Sequence, residues 1–473
     1  MSYIVFKTFG NQDYAYEIRS YWDKIEKKVK KESKYLGVVI DKEKKIFEKK
    51  ERKKNQEKLI LDFGDSFIVQ KILTGTNFIP LLEATFTEDT DTLLTLLTFR
   101  MCYTGAMMYA ETWYEGSYAK FQYQNAKVSS QRISDFLKVI GEEQIQRSFF
   151  REYLSGFSKA KKGVIIDATS LPNQIHNPLT AWGRSGEEID KQIRFLLVVD
   201  KGTGAPLYFR TLPGNIIDVS TLVNTVDELQ RYDIKDTFVY MDAGFFSEDN
   251  IKEMYANKLQ FLTRLPAGRT IYKELIRNEI KDLESPRHAV KYGMRGLFIK
   301  QKEIDLFGKK AYAYIVLDPE RKGREMTRLV LESADEKSEN MDELEYEYMT
   351  RGIMILVSSF KIPKRDVVPL YYTRQTAEML FGFSKDDLGA LPLRVHSEAA
   401  IHGLMFLQFI TLIAFTQLKN RFGKDYTVEE VLINMRNLKC KVYKGEAVTG
   451  ELTRKQKEIT KMFNIMVPKT LGI

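Results

Sequence analysis

The chain of 473 residues has few of the residues that build cross-linked or metal-knuckle folds: two cysteines, four histidines, three tryptophans and twelve prolines. Cys102 and Cys440 have no CxxC spacing. They supply neither a disulfide framework nor a zinc ribbon and point to a reducing compartment, so a cytoplasmic location is expected. The opening MSYIVFKTFGNQDY has no apolar h-region, and no secretory leader is expected. Long apolar runs are scarce as well. The exception, AAIHGLMFLQFITLIAFTQL at 399–418, contains His402, two Gln and two Thr and runs straight into KNRFGKD. It reads as a buried core helix, and no membrane partner is expected. DKGTGAP at 200–206 lacks the spacing of a phosphate-binding loop and reads as a turn, so nothing points to nucleotide hydrolysis.

What is present is a mix of 44% hydrophobic and 29% charged residues, enough chain for several domains with a large core. The net charge of +9 is concentrated: residues 24–58 hold fifteen Lys/Arg against seven Asp/Glu. Such a run either attracts polyphosphates through counterion release or forms a solvated face. Lys27, Lys28, Lys30 and Lys31 are its candidate nucleic-acid contacts. DYAYEIRSYWD (13–23) alternates Tyr14, Tyr16 and Ile18 with polar neighbours, and SKYLGVVID (33–41) can pair with it as a basic-tipped β-hairpin. From about 60 to 160 the pattern is helical. In SSQRISDFLKVIGEEQIQRSFFREYL, Ser129 or Ser130 can cap a helix with Ile133, Phe136, Leu137 and Ile140 as its apolar stripe and Gln131, Arg132 and Lys138 outward. This segment is either a DNA-reading module, with Arg132 a contact, or a packed bundle.

At residue 162 the period changes. KGVIIDATS, IRFLLVVD and APLYFRTL read as three strands before the first helix, DVSTLVNTVDELQRY. DTFVYMDAG is a buried strand, SEDNIKEMYANK a helix capped by Ser247, and LQFLTRL another strand. This order argues for a mixed α/β sheet, not a doubly wound parallel one. Residues 270–350 interrupt it with MRGLFIKQKEIDLFGKKAYAYIVLD, two strands about Gly308, and a charged, helical stretch. GIMILVSS then resumes a buried strand.

Two aspartates end apolar strands, Asp167 after GVII and Asp242 after FVYM. Each alone reads equally as a turn former or helix cap. Side by side on adjacent strands they would emerge at one edge, where Glu378 could join them. Clustered carboxylates repel unless protons or cations neutralise them, and oxygen-only ligands suit Mg²⁺ or Mn²⁺. Two such ions would serve phosphoryl transfer on nucleic acid. In YYTRQTAEMLFGFSK (371–385), Tyr371, Arg374, Glu378 and Lys385 would share one face of an unbroken helix, with Gly382 a point where that helix could end. Arg374 and Lys385 fit as phosphate clamps and Tyr371 as a stacking or hydrogen-bonding surface. Arg264 could reach DNA from a strand end or form an ion pair, and His176 reads as a loop residue.

GVIIDATS, VYMDAGFFSEDNI and YYTRQTAEMLFGFSK resemble the DDE transposases of bacterial insertion sequences, in the group marked by Tyr-x2-Arg-x3-Glu-x6-Lys. TGAPLYFRTLPGNIIDVSTL and LPLRVHSEAAIHGLMFLQFI extend the resemblance over roughly 125–420. It implies an RNase H-like core interrupted by a β-rich insertion, metal ligands at Asp167, Asp242 and Glu378, and DNA contacts at Tyr371, Arg374 and Lys385. The implied organisation is a basic hairpin region (1–60), a helical DNA-binding or dimerisation region (61–160), a core in two parts (161–269 and 351–425), the insertion (270–350) and a C-terminal helical region (426–473). It also implies a homodimer on double-stranded DNA ends, near the nucleoid, that cuts terminal inverted repeats and joins 3′-hydroxyls to target DNA. Alternatives from the same residues are a nuclease without strand transfer and an inactive DNA-binding relic. Trp22, Trp113 and Trp182 all lie outside the insertion, so a base-holding role there falls to Phe or Tyr or is absent.

Overall fold

The unalternating apolar runs between 162 and 358 all become strands of one sheet. The computed structural model describes residues 2–9, 12–23, 27–49, 59–103, 105–157, 163–173, 177–185, 188–215, 219–234, 238–335, 341–373, 375–382, 397–423 and 425–472. They form two compact units, Met1–Leu59 with Val442–Glu446, and Ile60–Lys441 with Ala447–Ile473.

The first unit is an antiparallel sheet of β1 (Ser2–Phe9), β2 (Gln12–Asp23), β3 (Lys28–Asp41) and β4 (Ile46–Glu48), in that order. The expected pairing of 13–23 with 33–41 is present, with Tyr14 opposite Val38 and Tyr16 opposite Tyr35. It runs further than the alternation indicated, closing at Asp23 opposite Lys28. Strands β1 and β4 were not expected. In β1, SYIVFKTF, apolar side chains fall at both odd and even positions, which conceals its period. Strand alternation also divides the basic run. Lys28 and Lys30 project from one face with Tyr21, and Lys31 from the other with Ser20.

The second unit begins with β5 (Leu59–Asp62) and a group of helices. The helix Ser130–Ile140 buries Ile133, Phe136, Leu137 and Ile140 and leaves Arg132 exposed, in keeping with its apolar stripe. It packs on the long helix Glu398–Phe422, one helix among the described residues long and apolar enough to cross a membrane, whose most apolar window is 89% buried within the unit. The two backbones touch. A Cβ at Gly403 would overlap the Leu137 carbonyl, and one at Gly141 the Ala399 carbonyl, so glycine is required at both sites.

The ten-stranded sheet holds β6 (Gly163–Pro172), β7 (Ala181–Ser185), β8 (Glu188–Asp200), β9 (Pro206–Pro213), β10 (Phe238–Met241), β11 (Gln260–Arg264), β12 (Ala289–Tyr292), β13 (Arg295–Leu306), β14 (Lys309–Leu317) and β15 (Ile353–Ser358). Its order is β12-β13-β14-β15-β11-β10-β6-β8-β7, with β9 also on β8. β6, β10 and β11 are parallel, and every other pairing is antiparallel. The sheet is therefore mixed, as the three strands before the first helix indicated. The strands of 270–350 continue this sheet through β14 and β15. Their hairpin turns at Phe307 and Gly308, both at positive φ, which suits the right-handed twist of the flanking strands.

Phe209 of β9, on the same face as Leu197, packs against Phe406 and Phe409 of the long helix, and Phe150 of the helix Glu143–Ser155 joins them. Burying each such ring contributes about 1.5–3 kcal/mol. This aromatic layer fixes one face of the sheet against the helices, and Asp167, opposite Leu197, lies on that face.

Candidate active site

Strand register decides where the two aspartates sit. β10 pairs in parallel with β6, Phe238 opposite Gly163, Val239 opposite Val164 and Tyr240 opposite Ile165. Continued two steps, the same offset sets Asp242 opposite Asp167. Neighbouring strands lie about 4.8 Å apart, and register partners project to one face. Contrary to expectation, Asp167 does not end its strand, because the pairing of β6 with β8 carries the strand on to Pro172, whereas Asp242 directly follows the last residue of β10. β11 extends the row. Met241 is opposite Thr263, which sets Arg264 opposite Asp242 one step later.

The local environments differ. Asp167 is 6% exposed at the end of a run in which Val164, Ile165 and Ile166 are fully buried. One of its oxygens accepts from the Ala168 N–H at 3.0 Å. Asp242 is half-buried, and its carbonyl accepts from the Thr263 hydroxyl at 3.2 Å. It precedes the turn Ala243–Phe245, yet its side chain makes no capping bond to that turn. The cap explanation for an acid at a strand end therefore fails for Asp242, whereas Ser247 does cap the following helix by accepting from the Asn250 N–H at 3.2 Å.

Glu378 lies on the helix Gln375–Gly382, which packs on β6 and β8. That helix buries Ala377, Leu380 and Phe381, and the Phe381 ring lies 6.3 Å from Phe195. Phe195 is opposite Thr169, two residues beyond Asp167, so the Glu378 helix covers the face from which Asp167 projects. At the other end of the helix, Thr376 lies against Gly204 in the β8–β9 turn, close enough that a Cβ at Gly204 would sit 3.1 Å from its methyl.

One expectation about this segment needs correction. The segment 371–385 is not one helix. Lys364–Tyr372 ends at Thr373, whose hydroxyl donates to the Leu370 carbonyl at 2.5 Å, and a second helix begins at Gln375. Gly382 is the last residue of that second helix, at the point where the sequence allowed an end. Tyr371 belongs to the first helix and is 5% exposed, edge-on to Tyr372 at 5.8 Å, so its ring serves packing. Among the described residues no group of three Asp, Glu, His or Cys is close enough to hold an ion, and Glu378 is exposed on its helix, beside the buried stripe.

Arg374, Lys385 and His176 lie outside the described residues. Of the basic candidates, Lys27 occupies the β2–β3 turn at φ 49°, and Lys28, Lys30 and Lys31 follow on β3. Arg264 is half-buried at the end of β11. Its alignment with the aspartates depends on two successive strand registers and carries no local sequence signal.

The family described as Transposase DDE domain matches residues 158–414. No curated protein matches. Seven chains of solved structures match, among them piggyBac transposase in a synaptic complex with hairpin DNA, at 12% identity, 79% coverage of both chains and a TM-score of 0.41.

Proposed function

Because the chain belongs to the transposase DDE domain family, we propose that it binds the terminal inverted repeats of a bacterial insertion sequence, cuts DNA at their ends and joins the freed 3′-hydroxyls to target DNA. One arrangement supports this reading: Asp242 directly follows β10, the parallel neighbour of β6, and the Glu378 helix packs over the face of β6 from which Asp167 projects. The strand order, three antiparallel strands followed by two parallel ones, supports an RNase H-like core. Asp167, Asp242 and Glu378 offer only oxygen donors, which fits Mg²⁺ or Mn²⁺, and they are the residues that would hold such ions. When bound, a pair of these ions supplies activation of an attacking oxygen and stabilisation of a leaving one.

The chain's own residues hold the reacting strand. Asp167 is immobilised by the doubly buried β6, so its carboxylate position is set by the sheet. Arg264, in the same row, is placed to take a phosphate oxygen, and Arg374 and Lys385 are assigned the same task on the flanking backbone. Cutting and joining are both in-line attacks by an oxygen on a phosphodiester, so one set of residues serves both. A homodimer on paired ends is part of the same proposal.

The test is a plasmid carrying the element's ends, incubated with Mg²⁺ or Mn²⁺ and a target plasmid. Wild-type protein is expected to nick at the ends and give covalent joint products. Asp167→Asn, Asp242→Asn and Glu378→Gln are expected to lose both while still binding DNA. Undiminished activity in all three variants would sink the proposal, and cutting without joint products would leave a nuclease.

A further inference from the structure

The hairpin of β7 and β8 projects past the ends of β6 and β9. β6 leaves β8 at Gln192 and β9 leaves it at Ile193, while β7 pairs with β8 from Gln192 to Glu188. Trp182 is opposite Lys191 there, with the Lys191 ammonium 5.7 Å from the ring centroid. Trp182 is 61% exposed and Ile189, two pairs further along β8, is 69% exposed. Other large apolar side chains of this unit are exposed too, Leu331, Ile433 and Met466 among them, but the Trp182 indole is set apart by the ammonium that its strand partner holds against it.

Their face is fixed by alternation. Antiparallel partners share a face, so Trp182 lies with Lys191, and Lys191 lies with Ile193, Phe195 and Leu197 on β8. Leu197 is the partner of Asp167. No register shift interrupts the β6–β8 pairing between these points. Trp182, Lys191 and Ile189 therefore continue the Asp167 face outward. From Leu197 to Lys191 is six residues, about 20 Å along the strand. Stacked bases rise about 3.4 Å each, so that distance corresponds to roughly six base pairs of a duplex.

Resting on the transposase reading, we propose that the β7–β8 hairpin is a DNA-contacting arm: Trp182 lies against duplex DNA about six base pairs from the phosphate held at Asp167, with Lys191 beside it on the backbone. An indole offers a flat apolar surface for a base or sugar, and an adjacent ammonium neutralises the phosphate that comes with it. Because the arm shares a strand with the partner of Asp167, a duplex gripped at Trp182 is held in a fixed register relative to the carboxylates. The arm is thus a positioning element for the cut.

The test uses the full chain with Trp22→Phe and Trp113→Phe, which leaves Trp182 as the sole indole, and a fluorescein-labelled 30-base-pair duplex as probe. Anisotropy reports binding, and indole emission with acrylamide quenching reports the environment of Trp182. Duplex binding is expected to quench the indole and shield it from acrylamide. In the otherwise wild-type chain, Trp182→Ala is expected to weaken binding about tenfold and Trp182→Phe much less. Because the side chain is exposed, the variants should melt like the parent. Binding with unchanged indole emission and unchanged Trp182→Ala affinity overturns the arm alone. A shift in oligomeric state on Trp182→Ala without loss of affinity also overturns it, in favour of a second copy as occupant. Absence of any duplex binding by wild-type protein overturns the transposase reading and the arm together.

Discussion

The N-terminal sheet and the ten-stranded sheet use strands of similar length but opposite texture. In β3 most side chains are exposed, and acids such as Glu32 face water. In β15 every residue is buried, and in β6 Val164, Ile165 and Ile166 have no exposed surface. An acid costs almost nothing on an open strand, whereas one directly after a doubly buried run sits where desolvation is expensive. Asp167 and Asp242 are informative for that reason, and Glu17 or Glu32 are not.

Breaking the buried half first should give the largest effect. Asp167→Asn or Asp242→Asn is expected to lower end cleavage by more than about 100-fold, since loss of mere second-sphere partners already costs 10–100-fold. Phe406→Ala, which empties the aromatic layer under β9, should cost about 3–5 kcal/mol in denaturant unfolding. Tyr35→Ala, in the open sheet at 37% exposure, should cost well under half as much. Equal costs would erase the contrast. Replacing Lys28, Lys30, Lys31 and Lys34 by Gln should flatten the slope of log affinity against log salt by about 3–4 if the N-terminal sheet grips phosphates. An unchanged slope would make these lysines a solvated face.

The smallest effect concerns His288, at the start of β12. Burial and then the Lys364 ammonium, 3.4 Å from its Nδ1, hold its pKa below the usual 6.5, against the opposing pull of Asp282. Arg287 and Lys300 also face it and act in the same sense as Lys364. A depressed folded pKa means that the unfolded chain binds the proton more readily. The contribution is therefore present above about pH 6.5 and fades as the pH falls through the folded value. Melting temperatures at pH 7.5 and 5.5 should differ less in His288→Gln than in the parent. An identical difference would remove His288 from the pH response.

Much of this was legible in the sequence because local pattern and tertiary outcome agree. GVII and FVYM are too apolar for anything but a covered strand, the stripe of Ser130–Ile140 is complete, and Gly308 marks its own turn. The break at Thr373 was not legible, since YYTRQTAEMLF has an uninterrupted helical period and the Thr373 hydroxyl redirects the chain locally. The site of Glu378 follows from Ala377, Leu380 and Phe381 seating on β6 and β8, which no spacing within 371–385 reveals. β7 was missed because AWGRS is short and has no alternation; only its pairing with β8 shows that Trp182 stands on the Asp167 face.

The pairing of β15 with β11 also bears on the order in which the sheet is completed as the chain is made. The chain departs after Arg264 and returns only at Ile353, and the helix with the third carboxylate is made later still. Closing so wide an excursion is entropically slow compared with forming local contacts. A ribosome-bound fragment ending before that return carries both aspartates but neither β15 nor the Glu378 helix, so the sheet is completed only late in synthesis.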